Sequence, residues 1–187
     1  MKTSRRVLSP ARQSLSPSDR KIMLETLLMA VVLMAPPELE GASMPVVIAT
    51  KSDPNQTGRK PSAYQGIYYN ETFEPYRQCV AQREGRHQYW VTGNNGKYQS
   101  TYQMTPALVR GAAWMMTTEL KSTYGKAMGL KIRNILLETP GKKWARQWMD
   151  QAFWTVLNWR GNASGAQHWA GGRFTCYPGM DSYGGDR

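Results

Sequence analysis

The chain has 187 residues, a length that suits one domain with extensions and is short for two domains with independent cores. Lysine and arginine number 24 against 13 acidic residues, and the formal net charge of +11 favours an anionic partner such as nucleic acid, anionic lipid or an acidic wall polymer. Seven Trp and ten Tyr against three Phe favour aromatic side chains with a polar edge, which suit either sugar stacking or core packing.

Residues 1–43 form a basic leader. Residues 1–21 are rich in Ser, Pro and Arg and lack apolar periodicity, which predicts disorder. Residues 27–37 are apolar but too few for a bilayer span, which takes about 20 residues. With basic residues before them and small residues at 41–43 after them, they form a candidate secretory signal. The alternatives are a buried or surface-lying amphipathic helix, or a start codon assigned too far upstream.

The first predicted helix follows a linker. Residues 44–71 contain Pro, Ser, Gly and Tyr without a helical stripe, which predicts the linker. Thr72 can cap the helix, and Pro75 is tolerated in a first turn. Gly85 is a common helix stop, so the pattern places Glu84 at the end of this helix.

A short hairpin and further helices come next. The turn-forming residues 92–96 (TGNNG) lie between β-prone residues 88–91 and 97–104, which predicts the hairpin. Helical patterns then cover residues 106–120, 126–137 and 142 or 143 to 159. One hairpin among several helices indicates an α+β fold that is mostly helical. Residues 178–187 are expected to be a disordered tail.

The two cysteines, Cys79 and Cys176, bracket the predicted domain. In an exported protein they would form one disulfide closing a loop of roughly a hundred residues, worth about 4–5 kcal/mol in the chain-entropy model. Such a bridge would also tie the Gly-rich residues 162–176 to the body. In the cytosol they would be two free thiols.

The sequence lacks the signatures of several enzyme classes. The two histidines, His87 and His168, and the two cysteines contain no pair at a close ligand spacing, which argues against a metal site. There is no phosphate-binding Walker loop and no Gly-x-Ser-x-Gly elbow, and no cofactor is expected. Glu119 and Glu138 lie on predicted helices among Lys and Thr, which suggests a solvated surface role.

Glu84 differs from these carboxylates because it lies where a helix meets a glycine turn, close in sequence to Tyr89 and Trp90. A carboxyl group that faces an aromatic, partly dry cleft can hold its proton near neutral pH and donate it to a glycosidic oxygen. The alternative is a surface glutamate paired with Arg83 or Arg86.

A family resemblance runs through the same region. Residues 76–90 (YRQCVAQREGRHQYW), 92–98 (TGNNGKY) and 102–104 (YQM) resemble the transglycosylase-like domain of resuscitation-promoting factors and related wall hydrolases of actinobacteria and their phages. In that family a helix ends in the catalytic Glu, and a hairpin, a segment containing Gln, a late helix with Gln, and a closing Trp and Cys follow. The similar elements here are Glu84, residues 93–96, Tyr102, Gln103, Met104, Gln151, Trp169 and Cys176.

The resemblance implies a lysozyme-like fold for residues 72–177 and an enzyme that degrades peptidoglycan. It would be a lytic transglycosylase or muramidase that cleaves the MurNAc-GlcNAc bond of the glycan strands. Glu84 would act first as acid toward the leaving oxygen and then as base toward the substrate's own 6-hydroxyl. Two-carboxylate hydrolysis would need a partner roughly 5–9 Å away, and the predicted hairpin supplies none. The residues expected to bind the sugars are Trp90, Tyr98, Tyr102, Gln103 and Gln151, although each is also explained by packing or a buried hydrogen bond.

The resemblance further implies a protein that is secreted or associated with the cell wall, or with the virion if a phage encodes it. We expect no nucleic-acid partner and no stable membrane span. One departure from the family is that Cys79 precedes Glu84 by five positions rather than one; the shift is one helical turn, so a bridge to Cys176 is still expected.

Two rival functions remain. The residues after Glu84 depart from the family, and residues 111–138 form a longer helical insert, which leaves open a non-catalytic glycan-binding or virion structural protein with a lysozyme-like shape. The net charge also suggests a nucleic-acid binder, but Lys and Arg are spread along the chain and no known binding module is apparent.

Overall fold

A computed structural model describes residues 43–183 of the chain. The leader prediction for residues 1–42 and the end of the predicted tail, residues 184–187, lie outside the described residues. The described residues from Met44 onward form one compact unit. This unit is mostly helical with one small antiparallel sheet and one disulfide, which confirms the predicted α+β class.

Helix α1 spans Glu74–Gly85 and follows a 3-10 turn at Glu71–Phe73. The predicted cap at Thr72 is wrong, because the extra turn moves the cap to Asn70, whose side chain accepts a hydrogen bond from the Thr72 N–H at 3.0 Å. Pro75 occupies the first turn as expected. The helix thus enters the body with Glu84 in its last turn.

The end of α1 is fixed by two features of the chain. Arg86 and His87 both have left-handed φ values, 51° and 56°, which turn the chain away from the helix axis. Gly85 lies against the backbone of Thr101, where an added Cβ would come within 2.5 Å of the Thr101 Cα. The glycine is therefore required by a close approach of two chain segments as well as by the helix end.

The predicted hairpin is confirmed, although its strands are shorter than expected. Strand β1, Thr92–Gly93, pairs antiparallel with β2, Tyr98–Gln99, so that Thr92 lies opposite Gln99 and Gly93 opposite Tyr98. A 3-10 turn at Asn94–Gly96 joins them. The second strand stops early because Ser100 and Gln103 adopt left-handed φ values of 64° and 46°, which fold the chain back on itself.

The predicted helix 106–120 is two helices, α2 (Pro106–Met115) and α3 (Thr117–Tyr124). Helix α4 spans Lys126–Glu138 and packs beside α3. The two backbones meet at Gly129, where an added Cβ would lie 2.6 Å from the Leu120 carbonyl carbon. Helix α5 spans Arg146–Asn158.

Residues 44–70 pack against the body, in contrast to the linker expected from their composition. Val47 and Tyr64 are buried in the core. Ala49 N donates to the Lys143 carbonyl and Ala145 N to the Val47 carbonyl, both at 2.9 Å. This pairing holds residues 144–145 extended, which explains why α5 begins later than its sequence pattern predicts.

Helix α5 forms the centre of the core. Trp148, Phe153 and Trp154 have no exposed surface. The indole of Trp148 donates to the Val46 carbonyl at 2.8 Å, and that of Trp154 to the Ser62 hydroxyl at 2.9 Å. The large indoles therefore pack in the core with their polar edges paired to the segment that covers α5.

The Cys79–Cys176 disulfide confirms the predicted pairing and joins α1 to the C-terminal segment, 97 positions along the chain. The first part of the expected disordered tail also contacts the body, because Met180 and Tyr183 pack partly buried against the core. The disulfide brings this segment back to α1.

A buried polar cluster lies between α1 and α5. It consists of Asp150, Arg77, Arg146, Tyr89 and Tyr102, and we call it the Asp150 cluster. Both tyrosine hydroxyls donate to Asp150 Oδ1, at 2.6 Å from Tyr102. The guanidinium groups of Arg77 and Arg146 lie 3.7 and 3.4 Å from the carboxylate. Burial, together with the negative charge of Asp150, raises the pKa of both tyrosines, so their hydroxyls remain protonated donors.

Removing the charge at the centre of this cluster should destabilise the fold. We expect Asp150→Asn to lower the free energy of unfolding by about 3–5 kcal/mol, because it leaves the buried Arg146 without its carboxylate partner and Arg77 with Glu74 alone. Urea denaturation of the oxidised protein measures the difference. The control Glu138→Gln changes an exposed carboxylate on α4 and should shift stability by less than about 0.5 kcal/mol. Equal effects of the two substitutions would contradict a structural role for the cluster.

Candidate functional site

An open cleft with a volume of about 320 Å³ lies where the end of α1, the hairpin and the C-terminal segment meet. We call it the Glu84 cleft. Its lining residues are Glu84, Tyr98, Tyr102, Gln103, His168, Trp169, Gly171 and Gly172. The structure therefore brings together four of the residues predicted from the sequence, Glu84 from the end of α1 and Tyr98, Tyr102 and Gln103 from the hairpin and the bend after it.

Glu84 reaches the cleft from the last turn of α1, with 25 % of its side chain exposed. Its Oε1 accepts a hydrogen bond from the Arg83 Nε at 2.9 Å. No hydrogen bond from residues 43–183 reaches Oε2. One carboxylate oxygen is thus fixed by the protein, while the other is available to a ligand.

The pairing of Glu84 with Arg83 was the alternative interpretation of the sequence, but it is not a surface ion pair. The Arg83 side chain is 1 % exposed. Its other two nitrogens donate to the carbonyls of Trp169 and Phe174, at 2.5 and 3.1 Å. The ion pair therefore lies at the edge of the cleft, and its guanidinium is also bonded to the C-terminal segment.

The hairpin and the bend that follows it supply Tyr98 and Gln103 to the lining of the cleft. The Gln103 Nε2 donates to the Ser100 carbonyl at 2.7 Å, which fixes the side chain across the bend after β2. Its Oε1 lies over Gly93, where an added Cβ would come within 2.2 Å. Gly93 is thus the residue that makes room for the Gln103 amide.

Tyr102 lies at the cleft, but its ring belongs to the core. The residue has no exposed surface, its ring stacks on Phe153 at a centroid distance of 4.5 Å, and its hydroxyl is part of the Asp150 cluster. The indole of Trp169 donates to the Tyr102 carbonyl at 2.9 Å. Tyr102 and Trp169 therefore form the floor of the cleft, and Tyr102 offers no ring face for the sugar stacking that was expected of it.

The structure does not place the other two predicted sugar-binding residues at the cleft. Trp90 is partly buried outside its lining. Gln151 is 3 % exposed and donates through Nε2 to Glu119 Oε2 at 2.9 Å. Glu119 is itself 8 % exposed and accepts further bonds from Tyr64 and Ile67, so the surface role predicted for it is wrong. Gln151 therefore serves a buried hydrogen-bond network, the second of its two interpretations.

Sequence reasoning missed the cleft residues His168, Gly171 and Gly172 and the buried position of Arg83. Gly172 has a φ of 131°, and an added Cβ would lie 2.5 Å from Arg83 Cδ. The adjacent glycines shortly before Cys176, and an arginine directly before the candidate catalytic residue, were the available signals. Both patterns are short and common in proteins of every fold, and only the folded chain shows that these residues meet.

Comparison of the chain with models of protein families, with curated proteins and with solved structures finds no significant match. Within residues 43–183 no group of three or more His, Cys, Asp or Glu side chains is arranged to hold a metal ion. No helix in this range has both the length and the apolar character needed to cross a bilayer.

The fixed position of the Gln103 amide can be tested independently of any ligand. In Gly93→Ala the new Cβ must displace the end of the Gln103 side chain, which breaks its bond to Ser100. We expect the chemical shifts of the Gln103 side-chain NH₂ group in a ¹⁵N–¹H spectrum to move toward those of a solvent-exposed glutamine. Gly111→Ala, with open space around the added Cβ, should leave them in place. Unchanged Gln103 signals in Gly93→Ala would contradict the assigned contact.

Proposed function

We propose that the protein is a lytic transglycosylase or muramidase that cleaves peptidoglycan glycan strands, with a lysozyme-like domain and Glu84 as its general acid. The observation that carries the proposal is the position of Glu84, at the end of a helix and in an open cleft shared with Tyr98 and Gln103. The resemblance in the sequence assigns the acid and the sugar-binding role to these same residues. Their convergence supports the assignment, because they lie up to 19 positions apart in the chain.

The chemistry needs one carboxyl group that gives and then recovers a proton. Protonated Glu84 donates through Oε2 to the glycosidic oxygen, and the bond from that oxygen to C1 of the MurNAc breaks. The substrate's own 6-hydroxyl then adds to C1 and returns its proton to Glu84. The product is a 1,6-anhydro sugar, and neither water nor a second protein group is consumed.

The lining of the cleft favours this route over hydrolysis with two carboxylates. Glu84 is the only Asp or Glu among the residues that line it, all of which belong to the described part of the chain. A second carboxylate within roughly 5–9 Å would be needed to activate water or form a covalent intermediate. The internal hydroxyl of the substrate can take that role.

The surroundings of the cleft suit a polymer. A second concavity with a volume of about 270 Å³ shares His168 with the Glu84 cleft and is also lined by Trp159, Arg160 and Gln167. Within residues 43–183, Arg160 has no hydrogen-bond or ion-pair partner, and no Asp or Glu lines this concavity. A glycan strand that runs across His168 can contact both concavities. The Arg160 guanidinium is complementary to the carboxylates that peptidoglycan carries.

A non-catalytic glycan-binding protein is the second candidate. The observation in its favour is the Arg83–Glu84 ion pair, because it occupies one oxygen of the single carboxylate in the cleft. Binding alone would need the cleft but not the transfer of a proton, so the two candidates differ in what a change at Glu84 does.

A test of activity uses the full oxidised chain and purified peptidoglycan, with released muropeptides identified by mass spectrometry. We expect the parent protein to release anhydro-muropeptides and Glu84→Gln to release at least about 100-fold less, because the amide cannot donate the required proton. Glu138→Gln removes an exposed carboxylate that does not line the cleft and should match the parent.

The other outcomes separate the alternatives. Reducing-end products in place of anhydro sugars would show hydrolysis and contradict the internal trapping step. No release by the parent, combined with equal sedimentation of parent and Glu84→Gln on peptidoglycan, would establish the binding protein and overturn the enzyme.

A further inference from the structure

Arg83 connects the candidate catalytic carboxylate to residues 169–174, the part of the C-terminal segment beside the cleft, which we call the wall of the cleft. Each of its three guanidinium nitrogens donates one hydrogen bond: Nε to Glu84, Nη1 to the Phe174 carbonyl and Nη2 to the Trp169 carbonyl. The side chain is 1 % exposed, while Phe174, whose carbonyl accepts one of the bonds, lies at the surface. A planar guanidinium can make three such bonds in fixed directions, which a lysine ammonium on a flexible stem cannot reproduce.

The wall itself has few other attachments. Among the described residues, the Arg83 bond to Phe174 is the only hydrogen bond that ties residues 171–175 to the rest of the molecule. The indole of Trp169 is fastened to Tyr102 on one side of this segment, and Cys176 is linked covalently to Cys79 on the other. Arg83 therefore holds the middle of a segment that is otherwise fixed only at its two ends.

Gly172 shows how closely the wall lies on this arginine. An added Cβ would be 2.5 Å from both Cδ and Nε of Arg83, whereas a Cβ at the neighbouring Gly171 would meet no atom within 4 Å. Any side chain at position 172 must therefore push the wall and the guanidinium apart. The contact is specific to one of the two adjacent glycines.

We propose that Arg83 is a positioning residue that fixes the orientation of the Glu84 carboxylate and couples it to the docked wall of the cleft. Because one buried group serves both, the carboxylate has its fixed orientation only while residues 169–174 are in place. The effect on catalysis rests on the proposed function, but the coupling of Arg83 to the wall does not.

Backbone ¹⁵N relaxation tests the coupling without requiring activity. In oxidised Arg83→Lys we expect the order parameters of residues 171–175 to fall below about 0.6, the range of flexible backbone, because the hydrogen bond that holds the middle of this segment is lost. Arg86→Lys changes an exposed arginine three positions further on and should not alter these order parameters. Unchanged order parameters in Arg83→Lys would overturn the proposal.

A second set of variants keeps the test decisive if Arg83→Lys fails to fold. Gly172→Ala displaces the wall without removing the arginine. Gly171→Ala adds a methyl group to the same segment in open space, and Gly179→Ala places an alanine at a left-handed φ of 91° without a contact. We expect lower order parameters for residues 171–175 in Gly172→Ala alone. Equal order parameters in the three alanine variants would show that the contact with Arg83 does not hold the wall.

Kinetics on peptidoglycan test the positioning of Glu84. We expect Arg83→Lys to lower kcat at least about tenfold while KM changes less than about twofold, and Arg86→Lys to match the parent. Lower order parameters with an unchanged kcat would confirm the wall contact and overturn the positioning role. If the parent itself lacks activity, the proposed function fails, and the relaxation data still decide whether the coupling exists.

Discussion

The buried carboxylate of Asp150 is the interaction on which the rest of the domain depends. A charge without exposed surface is costly unless it is fully paired, and here two tyrosine hydroxyls, the Ala63 amide and two arginines surround it. These partners come from α1, from the chain on either side of the hairpin, from the segment that covers α5 and from α5 itself. One carboxylate thereby fixes the relative positions of elements that are distant in sequence.

The geometry of the candidate site follows from this arrangement along one helix. Helix α1 carries Arg77 in the Asp150 cluster, Cys79 in the disulfide, and Arg83 beside Glu84 at its end. Along its length the helix therefore carries a member of the Asp150 cluster, one half of the disulfide and the carboxylate of the cleft. On the other side of the cluster, Tyr102 places its carbonyl under the Trp169 indole and so sets the floor of the cleft.

Features governed by local interactions were predictable from the sequence. The end of α1 at Gly85, the hairpin around residues 92–99 and the range of α4 follow from glycine positions, turn residues and apolar spacing. The disulfide was predicted from the expected export of the protein and from the position of the two cysteines at either end of the domain. Glu84 was selected from its neighbours and from a family resemblance, and the fold places it in a cleft with Tyr98 and Gln103.

Features governed by distant contacts were not predictable. The composition of residues 44–70 gives no sign that Val47 pairs with the residues before α5, because that pairing uses backbone groups. Glu119 and Gln151 look like an exposed acid and a candidate ligand until α3 and α5 bring them within 2.9 Å of each other. The role of Arg83 likewise depends on carbonyl groups 86 and 91 positions away in the chain.

The most direct measurement is an NMR titration of ¹⁵N-labelled Glu84→Gln with soluble peptidoglycan glycan fragments, which locates binding without turnover. A glycan site at the Glu84 cleft predicts shifted amide signals at Tyr98, Gln103 and residues 168–172, and unchanged signals at Gln151 and along α4. Shifts confined to other surfaces, or no shifts at millimolar fragment, would contradict the assignment of this cleft as a glycan-binding site.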